Sequence, residues 1–122
     1  MKPAEVGRRG EDLACRLLKK HHYKVLERNV RGHYGEIDIV ASQRDCIVFV
    51  EVRTRTSQEY GTPEESVSAR KRAKLVTCAL DYIATHERYR DSAWRIDVVG
   101  IEVDEEGRQL RADITESAVP ID

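Results

Sequence analysis

The stretch Gly35–Val40, GEIDIV, and the run Cys46–Arg55 that follows it, CIVFVEVRTR, decide how this chain is read. Each is an apolar strand interrupted by charge: Glu36 and Asp38 in the first, Glu51 and Arg53 in the second. Side chains two apart share one face of a strand. Glu36 and Asp38 therefore point together with Ile37 and Ile39 opposite them, while Glu51 and Arg53 share a face with Ile47 and Phe49. From Cys46 to Val50 the second run is apolar on both faces, the pattern of a central strand covered on each side. The polar stretch SQRD between the runs is short enough for a hairpin, which brings Asp38 near Glu51. Burying a lone carboxylate is costly, and converging carboxylates repel unless a cation neutralises them. Two readings follow. One is an ion pair of Arg53 with Glu51 or Asp38 on a half-exposed sheet face. The other is an all-oxygen site for Mg²⁺ or Mn²⁺.

Outward from this pair the remaining elements fall into place. Residues 4–21 carry Val6, Gly10, Leu13, Ala14, Leu17 and Leu18 at helical spacing. YKVLERNV reads as a first strand, ahead of GEIDIVA and CIVFVEVRT. Gly61 and Pro63 break the chain before a second helix over roughly residues 64–86, with Leu75, Val76, Ala79, Leu80 and Ile83 as its apolar stripe. WRIDVVGIEV reads as a fourth strand and LRADITE as a fifth. The order αβββαββ predicts an α/β domain whose mixed β-sheet is flanked by helices.

A length of 122 residues suits one domain spanning residues 1–122. Charged residues are 35% of the chain and apolar ones 40%, which excludes a disordered or membrane class. No apolar run approaches the roughly 18 residues of a membrane span, and the N-terminus lacks an apolar signal region. A cytoplasmic protein with no membrane partner is expected. Cys15, Cys46 and Cys78 lack CxxC spacing and read as reduced, mostly buried thiols. Of the 22 acids and 21 bases, seven acids and two bases fall in the acidic C-terminal strand and tail, 102–122, leaving 15 acids and 19 bases elsewhere. The bases gather in VGRRG, EVRTR and ARKRAK. Such clusters suit an anionic partner such as a phosphate backbone, or are solvated faces.

The blocks GRRGEDLA, ERNVRGHYGEIDIVA, VFVEVRTR, YGTPEESV and WRIDVVGI, in this order, resemble the YraN-like family of small bacterial proteins. Its members are predicted endonucleases of restriction-endonuclease-like fold, distantly similar to archaeal Holliday junction resolvases. The likeness runs from about Gly7 to Ile101. It implies a Mg²⁺- or Mn²⁺-dependent nuclease acting on DNA, branched or otherwise structured DNA included. Asp38 would be the first acid of the D…(D/E)xK signature and Glu51 the second, with Glu11 on the first helix as a further metal ligand and Glu36 as a ligand or supporting group. Arg53 departs from the signature, which has lysine there. An arginine stays protonated, so it stabilises charge but is a poor proton acceptor. Lys71 matches a lysine common in the family and would share the catalytic role with Arg53. Arg55, Arg70, Arg72 and Lys74 would then contact a nucleic-acid backbone without reading its sequence. Cutting a symmetric junction would require a homodimer.

Two other readings stand beside the nuclease. Arg53 is compatible with a nucleic-acid-binding module whose site no longer cuts, and the carboxylates are compatible with a protein–protein adaptor held by ion pairs alone. Tyr34 and Tyr60 suit base stacking or strand-end packing, His33 adjoins the GEID block, Trp94 reads as core, and Asp97 reads as a hydrogen-bonding strand acid.

Overall fold

The computed structural model describes residues 1–56 and 67–119. The expected positions Tyr60, Gly61, Pro63 and Glu64, and Asp122 of the tail, lie outside the described residues. The observed order is α1 (Pro3–Lys20), β1 (Lys24–Gly32), β2 (Gly35–Gln43), β3 (Cys46–Thr56), α2 (Ala69–Thr85), a short 3₁₀ turn (Glu87–Tyr89), β4 (Ala93–Val103) and β5 (Gln109–Thr115). The strands form one sheet in the order β1-β2-β3-β4-β5. Strands β3 and β4 run parallel and the other neighbours antiparallel. This is the α/β mixed sheet flanked by helices that the sequence predicts, with β3 at its centre.

Local chemistry sets the element boundaries. Gln43 pairs with Cys46, so the β2–β3 turn is only Arg44 and Asp45, both at positive φ (50° and 63°), and Ser42 and Gln43 belong to the strand. Two positive φ angles give a turn whose twist matches the strands it joins. Helix α2 starts later than the periodicity predicts because Ser68 caps it, its hydroxyl accepting from the Lys71 N–H at 3.2 Å. Its buried stripe is Leu75, Cys78, Ala79 and Tyr82, whereas Leu80 of the predicted stripe is exposed.

Each helix covers one sheet face. On the α1 face Leu13, Ala14 and Leu18 pack on Ile39, Ala41, Val48 and Val50. On the α2 face Leu75, Ala79 and Tyr82 pack on Val40, Ile47, Phe49 and Ile96. The apolar alternation of β3 is thereby accounted for, with Glu51 and Arg55 continuing the Ile47–Phe49 face into the buried interior. Helix α1 approaches β3 closely at Gly10, where a Cβ would collide with the side chain of Thr54, whereas a Cβ at Gly7 would meet none of the described residues within 4 Å. Gly10→Ala is therefore expected to destabilise by about 1–3 kcal/mol through overpacking. Gly7→Ala should instead stabilise by up to about 1 kcal/mol through helix propensity. Urea denaturation of the two variants checks the contrast.

Ile37 and Ile39 do not share a face, contrary to strict alternation. Ile37 packs in the α2 cluster and Ile39 in the α1 cluster. The cause lies at Asp38. The β2–β3 ladder ends at Ile39↔Val50, and the Val52 N–H turns to the Asp38 side chain, donating to Oδ2 at 2.8 Å. On the other side of β2, Asn29 of β1 stands opposite Asp38, between the pairs Arg28↔Ile39 and Val30↔Ile37, with φ +53°. Strand β2 thus peels away from β3 at the residue that carries the acid.

Candidate metal and phosphodiester centre

The split between β2 and β3 brings together the acids of its two strands, Asp38 and Glu51, with Glu11 of α1 at the rim. Asp38 sits within it, and its carboxyl lies within hydrogen-bond reach of the Glu51 carboxyl. Burial first, and then the Glu51 carboxyl, push Asp38 up to about 7, against the Val52 N–H and Lys71. Glu51 is itself 3% exposed. From α2, Lys71 brings its Nζ to 3.2 Å from Glu51 Oε2. Arg53 Nη1 lies 4.0 Å from the same oxygen. Both readings of the sequence therefore have a physical counterpart: Glu51 is ion-paired, and a second carboxyl, Asp38, crowds it.

Glu11 stands on the α1 side, where burial and then Asp38 raise its carboxyl above the usual range. Its Oε1 and the Oε2 of Glu51 are buried and accept no hydrogen bond from the described residues. Cationic side chains stand near both, Lys71 and Arg53 at Glu51 Oε2 and Arg28 at Glu11 Oε1, so a metal ion would compete with these ion pairs for oxygens that hold no hydrogen bond. Oxygen donors of this kind suit Mg²⁺, which is commonly held by one or two carboxylates and keeps several waters. The fit is to Asp38 and Glu51 with Glu11 at the rim. Among the described residues, no three His, Cys, Asp or Glu side chains lie close enough together to enclose an ion. A fully protein-built cage is thus absent among them, and a two-carboxylate seat is what the donors match.

The other expected residues divide. Glu36 lies on the outer side, 3.5 Å from Arg31 Nε, and reaches the centre only as a distant charge on Glu11. Arg70, Arg72 and Lys74 are exposed on the first turns of α2 beside Lys71. Arg55 corrects the expectation of a backbone contact. It is 5% exposed and pairs with Glu102, its direct partner in the parallel β3–β4 ladder, at 3.9 Å. Alternation put it on the covered face, and its charge is spent inside the protein. His33 is exposed and faces Asp81 at 3.9 Å, away from the acids. Cys15 and Cys78 are buried and all three cysteines are free thiols, as expected.

Sequence reasoning missed Arg28 and Asn29. Arg28 Nη2 lies 3.0 Å from Asp12 and 3.7 Å from Glu11 Oε1, while the Asn29 side chain hydrogen-bonds Glu11. Asn29 holds Glu11 with its side chain and, through its left-handed backbone, sits at the bend that turns Asp38. Asparagine tolerates that conformation better than other residues with a Cβ. The signal was available as an Asn within an otherwise strand-like run, ERNVRG. Asn29→Ala is expected to cost about 1–2 kcal/mol by denaturation, and Asn29→Gly less, because glycine adopts the φ freely.

Similarity to known proteins follows the same segment. Residues 10–101 match the model of an uncharacterised protein family, UPF0102. The chain belongs to the UPF0102 family. A UPF0102 protein of Moorella thermoacetica is 45% identical over 112 residues, 92% of each chain. One of Geobacter metallireducens is 47% identical over 96 residues, 79% of this chain and 78% of its own. One of Rhodococcus opacus is 41% identical over 96 residues, covering 79% and 80%. The segment matched by the UPF0102 model runs from the Gly10 contact of α1 to Ile101 of β4 and contains Glu11, Asp38, Glu51 and Lys71. Among the described residues no helix is long and apolar enough to cross a membrane.

Proposed function

We propose that the protein is a metal-dependent nuclease hydrolysing phosphodiester bonds in DNA, with a fold of the restriction-endonuclease-like kind and kinship to the YraN-like group. The observation that carries this reading is the contact of the Asp38 and Glu51 carboxyls at the split of the sheet, with Lys71 3.2 Å from Glu51. Such a pair holds a proton when no cation is present and would exchange it for Mg²⁺ or Mn²⁺. The bound ion would supply Lewis acidity and a water of lowered pKa. Asp38 and Glu51 would hold it, with Glu11 at the rim on the α1 side.

Lys71 lies beside the Glu51 carboxylate, at 3.2 Å, which supports a role for it in place of the signature lysine. In this reading it and Arg53 stabilise negative charge on the phosphate as the bond to the leaving oxygen breaks. Arg70, Arg72 and Lys74 contact flanking phosphates and set orientation without sequence preference. Their contacts make affinity fall with rising salt.

A second reading is favoured by one observation. Lys71 already neutralises Glu51, and a centre held in that ion pair would bind nucleic acid without cutting it. Cleavage decides between them. Labelled linear duplex, single-stranded and four-way DNA are incubated in Mg²⁺ with the wild type and with Asp38→Ala. The expected result is cleavage by the wild type, reduced at least about a hundredfold in the variant. Binding without cleavage in both Mg²⁺ and Mn²⁺ would establish the second reading. Equal cleavage by both proteins would remove Asp38 from the centre.

A further inference from the structure

A groove of about 420 Å³ lies on the α1 face of β3, with Glu11 and Asp38 among its walls. Pro3, Val6 and Gly7 form its helical side. Val52, Thr54 and Thr56, which continue the Val48–Val50 face of β3, form its strand side, with Arg53 between them in the strand. The described residues do not fill this space: a Cβ on Gly7 would meet none of their atoms within 4 Å. A glycine inside a helix costs about 1 kcal/mol relative to alanine, and Gly7 returns nothing in packing. Gly10 behaves otherwise, because the helix could not reach β3 without it.

We propose that this groove receives an unpaired nucleotide next to the scissile phosphate, so that the centre acts on single-stranded or locally opened DNA and not on a continuous duplex. The inference rests on the nuclease reading of Asp38 and Glu51 and names its substrate. Three features carry it. The volume is that of a small-molecule pocket, about 300–1,000 Å³, enough for a nucleoside. A continuous duplex is disfavoured, because a base that is paired and stacked must first be extruded to enter a pocket. Extruding one costs a few kcal/mol and is least costly where the base is already unpaired. The walls match a sugar and base, with aliphatic surface from Pro3, Val6 and Val52 set against the threonine hydroxyls. The groove also runs into the acids themselves, so a nucleotide lodged there would leave its phosphate at Asp38.

The test uses the whole chain in Ca²⁺ and a labelled oligonucleotide of about 12 nucleotides, single-stranded or in blunt duplex, read by fluorescence anisotropy. The wild type is expected to bind the single strand at least tenfold more tightly than the duplex. Gly7→Leu, which fills the groove from an open helix position, is expected to weaken single-strand binding at least tenfold while leaving the thermal midpoint unchanged or higher. Gly7→Ala should fall between. Single-strand binding untouched by Gly7→Leu, or a duplex bound as tightly as the single strand, overturns the groove proposal alone. A wild type that binds neither oligonucleotide overturns the nuclease reading with it.

Discussion

Asp97→Ala is expected to destabilise the protein by about 3–5 kcal/mol, the cost of stranding a buried charge that has lost its partner. Asp97 is fully buried in β4. Its Oδ1 accepts from Arg95 Nε and from the Ser117 N–H, both at 2.9 Å, and its Oδ2 from the Tyr23 hydroxyl at 2.8 Å. Arg95 Nη2 also donates to Gln43 Oε1 at 2.7 Å, and Gln43 Nε2 to the His21 carbonyl at 3.0 Å. One carboxylate thus ties the α1–β1 junction, the end of β2, β4 and the segment after β5 into one network. Burial, with the Asp97 carboxylate accepting its hydrogen bond, pushes the Tyr23 hydroxyl up to about 12. Removing Asp97 leaves the Arg95 guanidinium and the Tyr23 hydroxyl facing a cavity. Tyr23→Phe, which deletes one neutral donor, should cost only about 1–2 kcal/mol. Domains of this size carry about 5–15 kcal/mol in all, so the alanine variant should lose a large share of its urea midpoint. A loss below about 1 kcal/mol would mean that water replaces the carboxylate in the network.

Asp38→Asn is expected to do the opposite to stability and to remove function. The ordinary aspartate value is near 3.8, and in the fold Asp38 is pushed up to about 7. A raised acid contributes stability that is full below about 4 and is lost as pH rises through about 7. In a chelator, the wild type should therefore weaken between pH 4 and pH 8, each pH unit of the interval being worth about 1.4 kcal/mol at most. Asparagine keeps an oxygen for the Val52 N–H and carries no charge to repel Glu51. The variant should match the wild type near pH 4 and exceed it by about 2–4 kcal/mol at pH 8. It should also lose metal binding and cleavage. Urea midpoints of the two proteins at pH 4, 6 and 8 check the sign. A wild type that gains stability toward pH 8 would contradict the crowding of the two carboxyls.

Much of the fold was legible because β3 has no ambiguity. Five apolar residues on two faces, Cys46 to Val50, are the pattern of a doubly covered central strand, and the helical stripe of α1 supplies one cover. The proximity of Asp38 to Glu51 was legible for the same reason, since a hairpin and a period of two place them together. What the sequence hid depends on partners distant in the chain. The opposite facing of Ile37 and Ile39 needs the left-handed Asn29 across the ladder and the Val52 N–H on the other side. Arg55 reads as a surface base until the parallel register sets Glu102 beside it. Leu80 reads as core until the packing of α2 on the sheet gives the buried face to Leu75, Cys78, Ala79 and Tyr82. Lys71 reached the centre in the sequence only through the family likeness, since nothing in ARKRAK separates it from its neighbours.

The cation at the Asp38–Glu51 pair is tested most directly by calorimetric titration of Mn²⁺ into the metal-free protein at pH 6 and pH 8. Saturable binding is expected, tighter at pH 8 than at pH 6, with proton release at pH 6 as the ion displaces the proton held by the carboxyl pair, and lost in both Asp38→Asn and Glu51→Gln. Binding that is absent in the wild type, or that survives both substitutions, would contradict a metal-dependent centre in the split of the sheet.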